Sequence, residues 1–197
     1  RVRWLTVEEE ARVVNAASAW LREVLVFALH TGMRQGEILG LTWAGVDLFR
    51  RTVTVFKSKN GERRTIPLNQ TVVELLKHKY GTRSGDTTLV FPSEARTRLN
   101  ASNIRRSLNL ALGKAAITDF HFHDLRHTCA TRMVQAGVDL YKVQRLLGHK
   151  SPTMTQRYAH HYPESLRDGV EALEADRRVS TNLAQLRVVP ESGSATC

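Results

Sequence analysis

The chain has 197 residues, 42% of them hydrophobic and 24% charged. That suffices for one substantial domain with a tail, or two very small domains, and it is the composition of a globular protein. Lys plus Arg number 29 against 19 Asp plus Glu, a net charge of +10, so the first expected partner is a polyanion, with nucleic acid ahead of a membrane. The two cysteines, Cys129 and Cys197, exclude a disulfide scaffold and a four-cysteine zinc site. No apolar run approaches the ~20 residues of a membrane span. The chain has no signal-peptide pattern and does not begin with Met, which keeps a preceding segment in view.

In chain order, Thr6 and Glu9 form a capping-box pattern. Val13, Val14, Ala17, Trp20, Leu21, Val24, Leu25, Ala28 and Leu29 then recur at helical spacing, which predicts one helical run ended by Gly32. A short helix is expected from Arg34 to about Gly40. Thr52–Phe56 and Arg64–Leu68 read as strands of a β-hairpin turned at Asn60-Gly61, with Lys57 and Lys59 near its tip and Pro67 at an edge or strand end. Asn69 caps a helix through Val72, Val73, Leu75 and Leu76, and Leu89–Phe91 reads as a third strand stopped by Pro92.

Further helices are expected over Ser102–Ala115, with Arg105 and Arg106 on the polar side, and over His123–Gln135. Another runs from the Asp139 cap through Leu147 to Gly148, and one starting at Ser151-Pro152 carries Tyr158. A last helix is expected over Glu164–Arg178, with a loose tail from Val179 to Cys197. The fold class is mainly α with a small antiparallel β-sheet (α+β). Cys129 reads as a small buried apolar residue.

Four segments carry candidate chemistry. Thr31-Gly32-Met33-Arg34-Gln35-Gly36-Glu37 sets a guanidinium at a helix start, where backbone N–H groups also favour anions. Taken alone, this segment reads first as a surface ion pair of Arg34 with Glu37 at i+3. His123-Asp124-Leu125-Arg126-His127 puts His123 and Arg126 on one helix face. An imidazole beside a guanidinium suits phosphate chemistry, by bidentate donation and by proton transfer. His127, one turn on, could be structural. His123 and His127 have metal-ligand spacing, but no zincin Glu and no third ligand accompany them. Leu146-Leu147-Gly148-His149-Lys150 sets a His after a helix-ending glycine, and Tyr158 follows nine residues later. A lone Tyr is ordinarily a packing residue; order and company distinguish this one from Tyr80, Tyr141 and Tyr162.

That order is Thr-Gly-x-Arg-x-x-Glu, a hairpin lysine, His-x-x-Arg, Leu-Gly-His and Tyr. It resembles the catalytic domain of the tyrosine recombinases, the phage integrase and Xer-like family, over roughly residues 5–175. The resemblance implies that Tyr158 attacks a DNA phosphodiester, forms a 3′-phosphotyrosine and releases a 5′ hydroxyl. It implies no ATP, no metal and no other cofactor. Arg34 and Arg126 match the arginines that hold the non-bridging oxygens, and Glu37 matches an acidic position that orients an arginine. His123 and His149 match the histidines expected to serve proton transfer at Tyr158 and hydrogen bonding to the phosphate.

Strand alternation leaves Lys57 and Lys59 on one face, so geometry does not choose between them. The family pattern, a lysine before the turn and then Arg-x-x-Pro, favours Lys59 as general acid, with Arg64-Thr65-Ile66-Pro67 as the continuation. Lys57, Arg63, Arg64, Arg105, Arg106 and Lys150 are the candidate DNA-backbone contacts.

The resemblance also implies a catalytic domain over 1–178 and a tail over 179–197 that is flexible or packs on a neighbouring protomer. The family's separate N-terminal DNA-clamping domain is expected to lie outside this chain. The expected partners are double-stranded DNA, further copies in a tetramer on DNA, and an accessory directionality protein. The expected setting is a bacterial or phage-encoded protein of the cytoplasm, nucleoid-associated, with no membrane. Alternatives are a type IB topoisomerase or telomere resolvase, and a non-catalytic DNA-binding protein of the same fold. A basic RNA-binding module lacks the aromatic-rich strand that would stack bases.

Overall fold

The structure, a computed structural model, describes residues 3–56, 63–83, 85 and 87–161. These fall within one compact unit, Arg1–Pro163. Helix α1 (Val7–Ala16) opens with the expected capping box: Thr6 Oγ1 accepts from Glu9 N–H at 3.1 Å, and the Glu9 carboxylate accepts from Thr6 N–H at 3.0 Å. The apolar stripe continues past Ala16, but the helix does not, and the expected single run is two helices. Ala17 and Ser18 are extended (ψ 146° and 156°), and α2 (Ala19–Thr31) starts anew. Arg22, in the first turn of α2, reaches back and donates to the carbonyls of Val14, Asn15 and Ala17 at 3.0–3.4 Å. Its guanidinium thus satisfies the carbonyls that the end of α1 leaves open.

Gly32 ends α2 in the left-handed region at φ +61°, and a Cβ there would lie 2.5 Å from Leu147 Cδ2. Conformation and close approach both require glycine at this position. The short helix α3 (Gln35–Leu39) follows, with Arg34 as its N-cap residue.

Strands β1 (Val46–Asp47), β2 (Thr52–Val55) and β3 (Arg64–Pro67) form an antiparallel sheet in the order β1-β2-β3. Val53 pairs with Ile66 and Val55 with Arg64. Alternation sends Val53, Val55 and Ile66 into the core, and Pro67 sits at the end of the edge strand opposite Thr52. The expected hairpin is present as β2–β3, while its tip, with Lys57, Lys59 and Asn60-Gly61, lies outside the described residues. The expected third strand is corrected. The sheet's third member is β1, and Leu89 makes only an isolated bridge to Thr42. The 88–90 backbone is taken up by the loop before β1: Trp43 N–H donates to the Thr88 carbonyl and Val90 N–H to the Leu41 carbonyl, both at 2.9 Å.

Helices α4 (Gln70–Thr82), α5 (Ala101–Lys114), α6 (Asp124–Gln135) and α7 (Leu140–Leu147) stand close to their expected limits. Asn69 caps α4, Asn100 caps α5 and Asp139 caps α7. Gly148 ends α7 in the left-handed region at φ +66°. Ser151 Oγ accepts from Thr153 N–H at 3.2 Å and starts α8 (Thr153–Gln156). This helix stops before Tyr158, which corrects the expectation that it carries that residue. Tyr158 sits in the following turn, its N–H donating to the Thr155 carbonyl at 2.9 Å. The expected helix over 164–178 and the tail over 179–197 lie outside the described residues.

The main core gathers Leu21, Leu25, Phe27, Val53, Leu76, Ile104 and Leu108 among others. Burying each such side chain stabilises the fold by roughly 1.5–3 kcal/mol relative to exposure. A smaller cluster joins Ala130 and Val134 of α6, Val143 and Leu147 of α7, and Tyr158. Leu5 N–H donates to Thr128 Oγ1 at 3.0 Å, and Arg132 pairs with Glu10, so α6 is tied to the start of the chain. Among the described residues no helix is long and apolar enough to cross a membrane.

Candidate active site

Two arginines are held by the ends of two helices. Arg126, on the buried face of α6, donates from Nη1 to the Gly32 carbonyl at 2.6 Å and from Nη2 to the Leu147 carbonyl at 2.7 Å. Gly32 closes α2 and Leu147 is the last residue of α7. Such terminal carbonyls lack helical partners and carry the negative end of the helix dipole, so a guanidinium between them is stabilised. Arg34 donates from Nη2 to the next carbonyl, that of Gly148, at 3.2 Å. Both arginines therefore hang on the Leu147-Gly148 turn. Burial first, then the charges of Arg34 and Arg64, bring Arg126 down to about 10, which leaves it charged at neutral pH.

Glu37 binds two arginines at once. Its carboxylate accepts from Arg34 backbone N–H at 2.8 Å and Nη1 at 3.1 Å, and from Arg64 Nη1 and Nη2 at 2.9 and 2.6 Å. Burial acts to raise its carboxyl, but Arg64, through its hydrogen bonds and charge, and Arg34 together hold it below the usual range. The surface pair that sequence spacing allowed is thus an enclosed two-arginine clamp.

Tyr158 is 1% exposed, its ring inside the smaller apolar cluster. Its hydroxyl lies 2.5 Å from Nδ1 of His127, itself buried. Burial raises the phenol, against the charges of Arg126 and Arg157. His127 is held down to about 4, first by burial and then by His123. The His123 ring stands edge-on to it, with centroids 5.0 Å apart, and packing around His123, then Arg126, lowers that imidazole as well. His149 Nδ1 meets Thr155 Oγ1 at 2.8 Å, and burial, then Arg126 and Arg34, bring it to about 3. Burial and the neighbouring arginines thus disfavour the charged form of all three imidazoles.

The structure thus brings together Arg34, Glu37, Arg126, His123, His149 and Tyr158 in one network of hydrogen bonds and charges. Arg63, Arg64 and Lys150 share a groove with His149, Gln144, Arg145 and Tyr141. Arg105 lies apart from that groove, in a depression with Ser102, Asn109 and His123, while Arg106 is exposed elsewhere on α5. Lys57 and Lys59 are outside the described residues. Sequence reasoning gave no site role to two residues. His127 carried only its i,i+4 spacing from His123, and Arg157 only its place before Tyr158. Among the described residues no three His, Cys, Asp or Glu side chains gather as a metal-binding group.

The chain is similar to known proteins in sequence and in fold. The model of the phage integrase family matches residues 3–165. The integrase of Salmonella phage P22 is 32% identical over 185 residues, covering 89% of this chain and 48% of that protein. The crystal structure of XerA recombinase superposes with a TM-score of 0.69 at 29% identity, over 88% of this chain and 65% of that one. A lambda integrase dimer bound to a COC′ core site gives a TM-score of 0.66 at 26% identity, over 79% of this chain and 47% of that one. The chain spans about half the length of the curated relatives it matches. It belongs to the phage integrase family.

Proposed function

We propose that this chain is the catalytic part of a site-specific DNA recombinase that cleaves and rejoins strands through a 3′-phosphotyrosine at Tyr158. The observation that carries this reading is the meeting of Arg34, Arg126, His123, His149 and Tyr158 around one electropositive site. The DNA-bound lambda integrase relative supports duplex DNA as the substrate. On this reading the scissile phosphate lies against Arg34 and Arg126. Their guanidinium groups are already oriented by Glu37 and by the carbonyls of Gly32, Leu147 and Gly148, so they stabilise the charge growing on the phosphoryl oxygens with little reorganisation. His123 and His149 add hydrogen bonds to the phosphate, and Lys59 gives a proton to the departing 5′ oxygen. The covalent link conserves the energy of the broken bond, so rejoining asks for no ATP and no other cofactor.

Arg63, Arg64 and Lys150 in the groove, with Arg105, Arg106 and Lys57, contact the flanking backbone. Affinity should then fall steeply with salt as counterions are released. Strand exchange is the work of several copies on DNA, a tetramer of the longer protein, with a directionality protein as a further partner. The test is a nicked suicide duplex that traps the cleaved state. Wild-type protein should accumulate a covalent adduct, and Tyr158→Phe should bind DNA with similar affinity yet form none. An adduct that persists in Tyr158→Phe overturns the assignment.

A further inference from the structure

Resting on the nucleophile assignment for Tyr158, we propose that His127 is the group that receives the Tyr158 proton in cleavage and returns it in rejoining. The geometry carries this. His127 Nδ1 stands 2.5 Å from the phenol oxygen, and both side chains are buried, at 7% and 1% exposure. The other two histidines are differently engaged: Nδ1 of His149 faces Thr155 Oγ1, and the exposed His123 packs its ring edge-on to His127. With its own proton on Nε2, a neutral imidazole offers Nδ1 as an acceptor to a phenol O–H.

The step balances. As the oxygen of Tyr158 attacks phosphorus, its O–H bond breaks and the proton moves to His127 Nδ1, giving an imidazolium. The P–O(Tyr) bond forms, and the P–O5′ bond breaks with its electron pair going to the 5′ oxygen, which takes a proton from Lys59. Rejoining reverses each transfer, and the imidazolium protonates the departing phenolate.

The electrostatics keep the proton on Tyr158 until DNA binds. In the DNA-free chain, burial and then His123, Arg157 and Arg126 disfavour the imidazolium, although Asp124 opposes them, so Nδ1 is open to accept at neutral pH. A phosphodiester bound at Arg34 and Arg126 offsets part of that positive charge and eases the transfer. An imidazolium kept strongly acidic is a good donor for the return step.

The test varies the acidity of the nucleophile. His127→Phe keeps ring volume and removes the acceptor, and should slow single-turnover cleavage of the suicide duplex by about 100-fold or more. With 2,3,5-trifluorotyrosine at position 158, whose phenol ionises far more readily, the same change should cost less than about 10-fold. His127→Asn, which sets an amide near the Nδ1 position, should lie between, and it replaces His127→Phe if thermal melting shows that variant unfolded. Cleavage and rejoining should slow together, leaving the equilibrium fraction of adduct unchanged. An equal loss with tyrosine and trifluorotyrosine assigns His127 to packing and overturns the proposal. Faster cleavage in His127→Phe makes the contact a restraint on Tyr158 and overturns it too. If unaltered protein forms no adduct at Tyr158, the nucleophile assignment fails instead, and the same gel reports this.

Discussion

The carboxylate of Glu37 grips the guanidinium of Arg64 through two parallel hydrogen bonds of 2.9 and 2.6 Å, with both side chains at least nine-tenths buried. Glu37 lies on α3 and Arg64 on β3, so this fork fastens the sheet edge to the turn that presents Arg34. Bidentate pairs of this kind fix orientation as well as distance. The Arg64 Nε is buried and lacks a partner among the described residues. The carboxylate is thus the principal anchor of that side chain.

Glu37→Gln keeps shape and removes charge. Arg34, Arg64 and Arg126 would then share a small volume without their counter-charge. We expect a stability loss of about 1–3 kcal/mol, read as a lower thermal midpoint, and slower cleavage than DNA binding alone explains. An unchanged midpoint would show that the clamp is not structural.

Arg126 joins the end of α2 to the end of α7 as well as facing the site. A lysine there keeps the charge but cannot reach both carbonyls. Arg126→Lys should lower stability by about 1–3 kcal/mol and slow cleavage by roughly 10²–10³-fold. DNA affinity should change less than ~10-fold, since a transition-state contact is lost and the positive charge stays. Equal losses in cleavage and affinity would make Arg126 a simple anchor.

Acid should destabilise the fold through its histidines. His127 and His149 are both lowered by burial, His127 to about 4 and His149 to about 3. Below an unfolded value near ~6.5 the unfolded chain takes up protons that the folded chain refuses, so stability is full above that pH and falls beneath it. The depressed carboxyl of Glu37 adds its own loss only at lower pH, below the ordinary carboxylate value. Thermal midpoints should therefore drop from pH 7 to pH 5, and less in His127→Phe than in wild type. A midpoint that rises over this range contradicts the burial of these rings as neutral imidazoles.

Much of this was legible in the sequence because it is local. Caps at Thr6, Asn69 and Asp139 and the breakers Gly32 and Gly148 act within a few residues of themselves, and the helix limits followed from them. The order of motifs named the residues that converge. What could not be read was settled across the fold. The break at Ala17–Ser18 depends on Arg22 folding back onto the end of α1, while the apolar stripe runs on through it. Leu89–Phe91 has strand composition, but its backbone groups are taken up by the loop before β1. Tyr158 falls beyond α8 because that helix closes after a single turn. Spacing alone gave no means of choosing which histidine meets the Tyr158 hydroxyl, since His127 and Tyr158 stand 31 residues apart. Nor did it show that Glu37 serves an arginine from the sheet as well as its own helix neighbour.

The central claim is that Tyr158 becomes joined to DNA. The direct measurement is peptide mapping by mass spectrometry of the adduct trapped on a nicked suicide duplex. The account predicts a nucleotide attached through its 3′ phosphate to the Tyr158 phenol oxygen, with a free 5′ hydroxyl on the released strand. Attachment at another residue, or a 5′-linked phosphate, would contradict it.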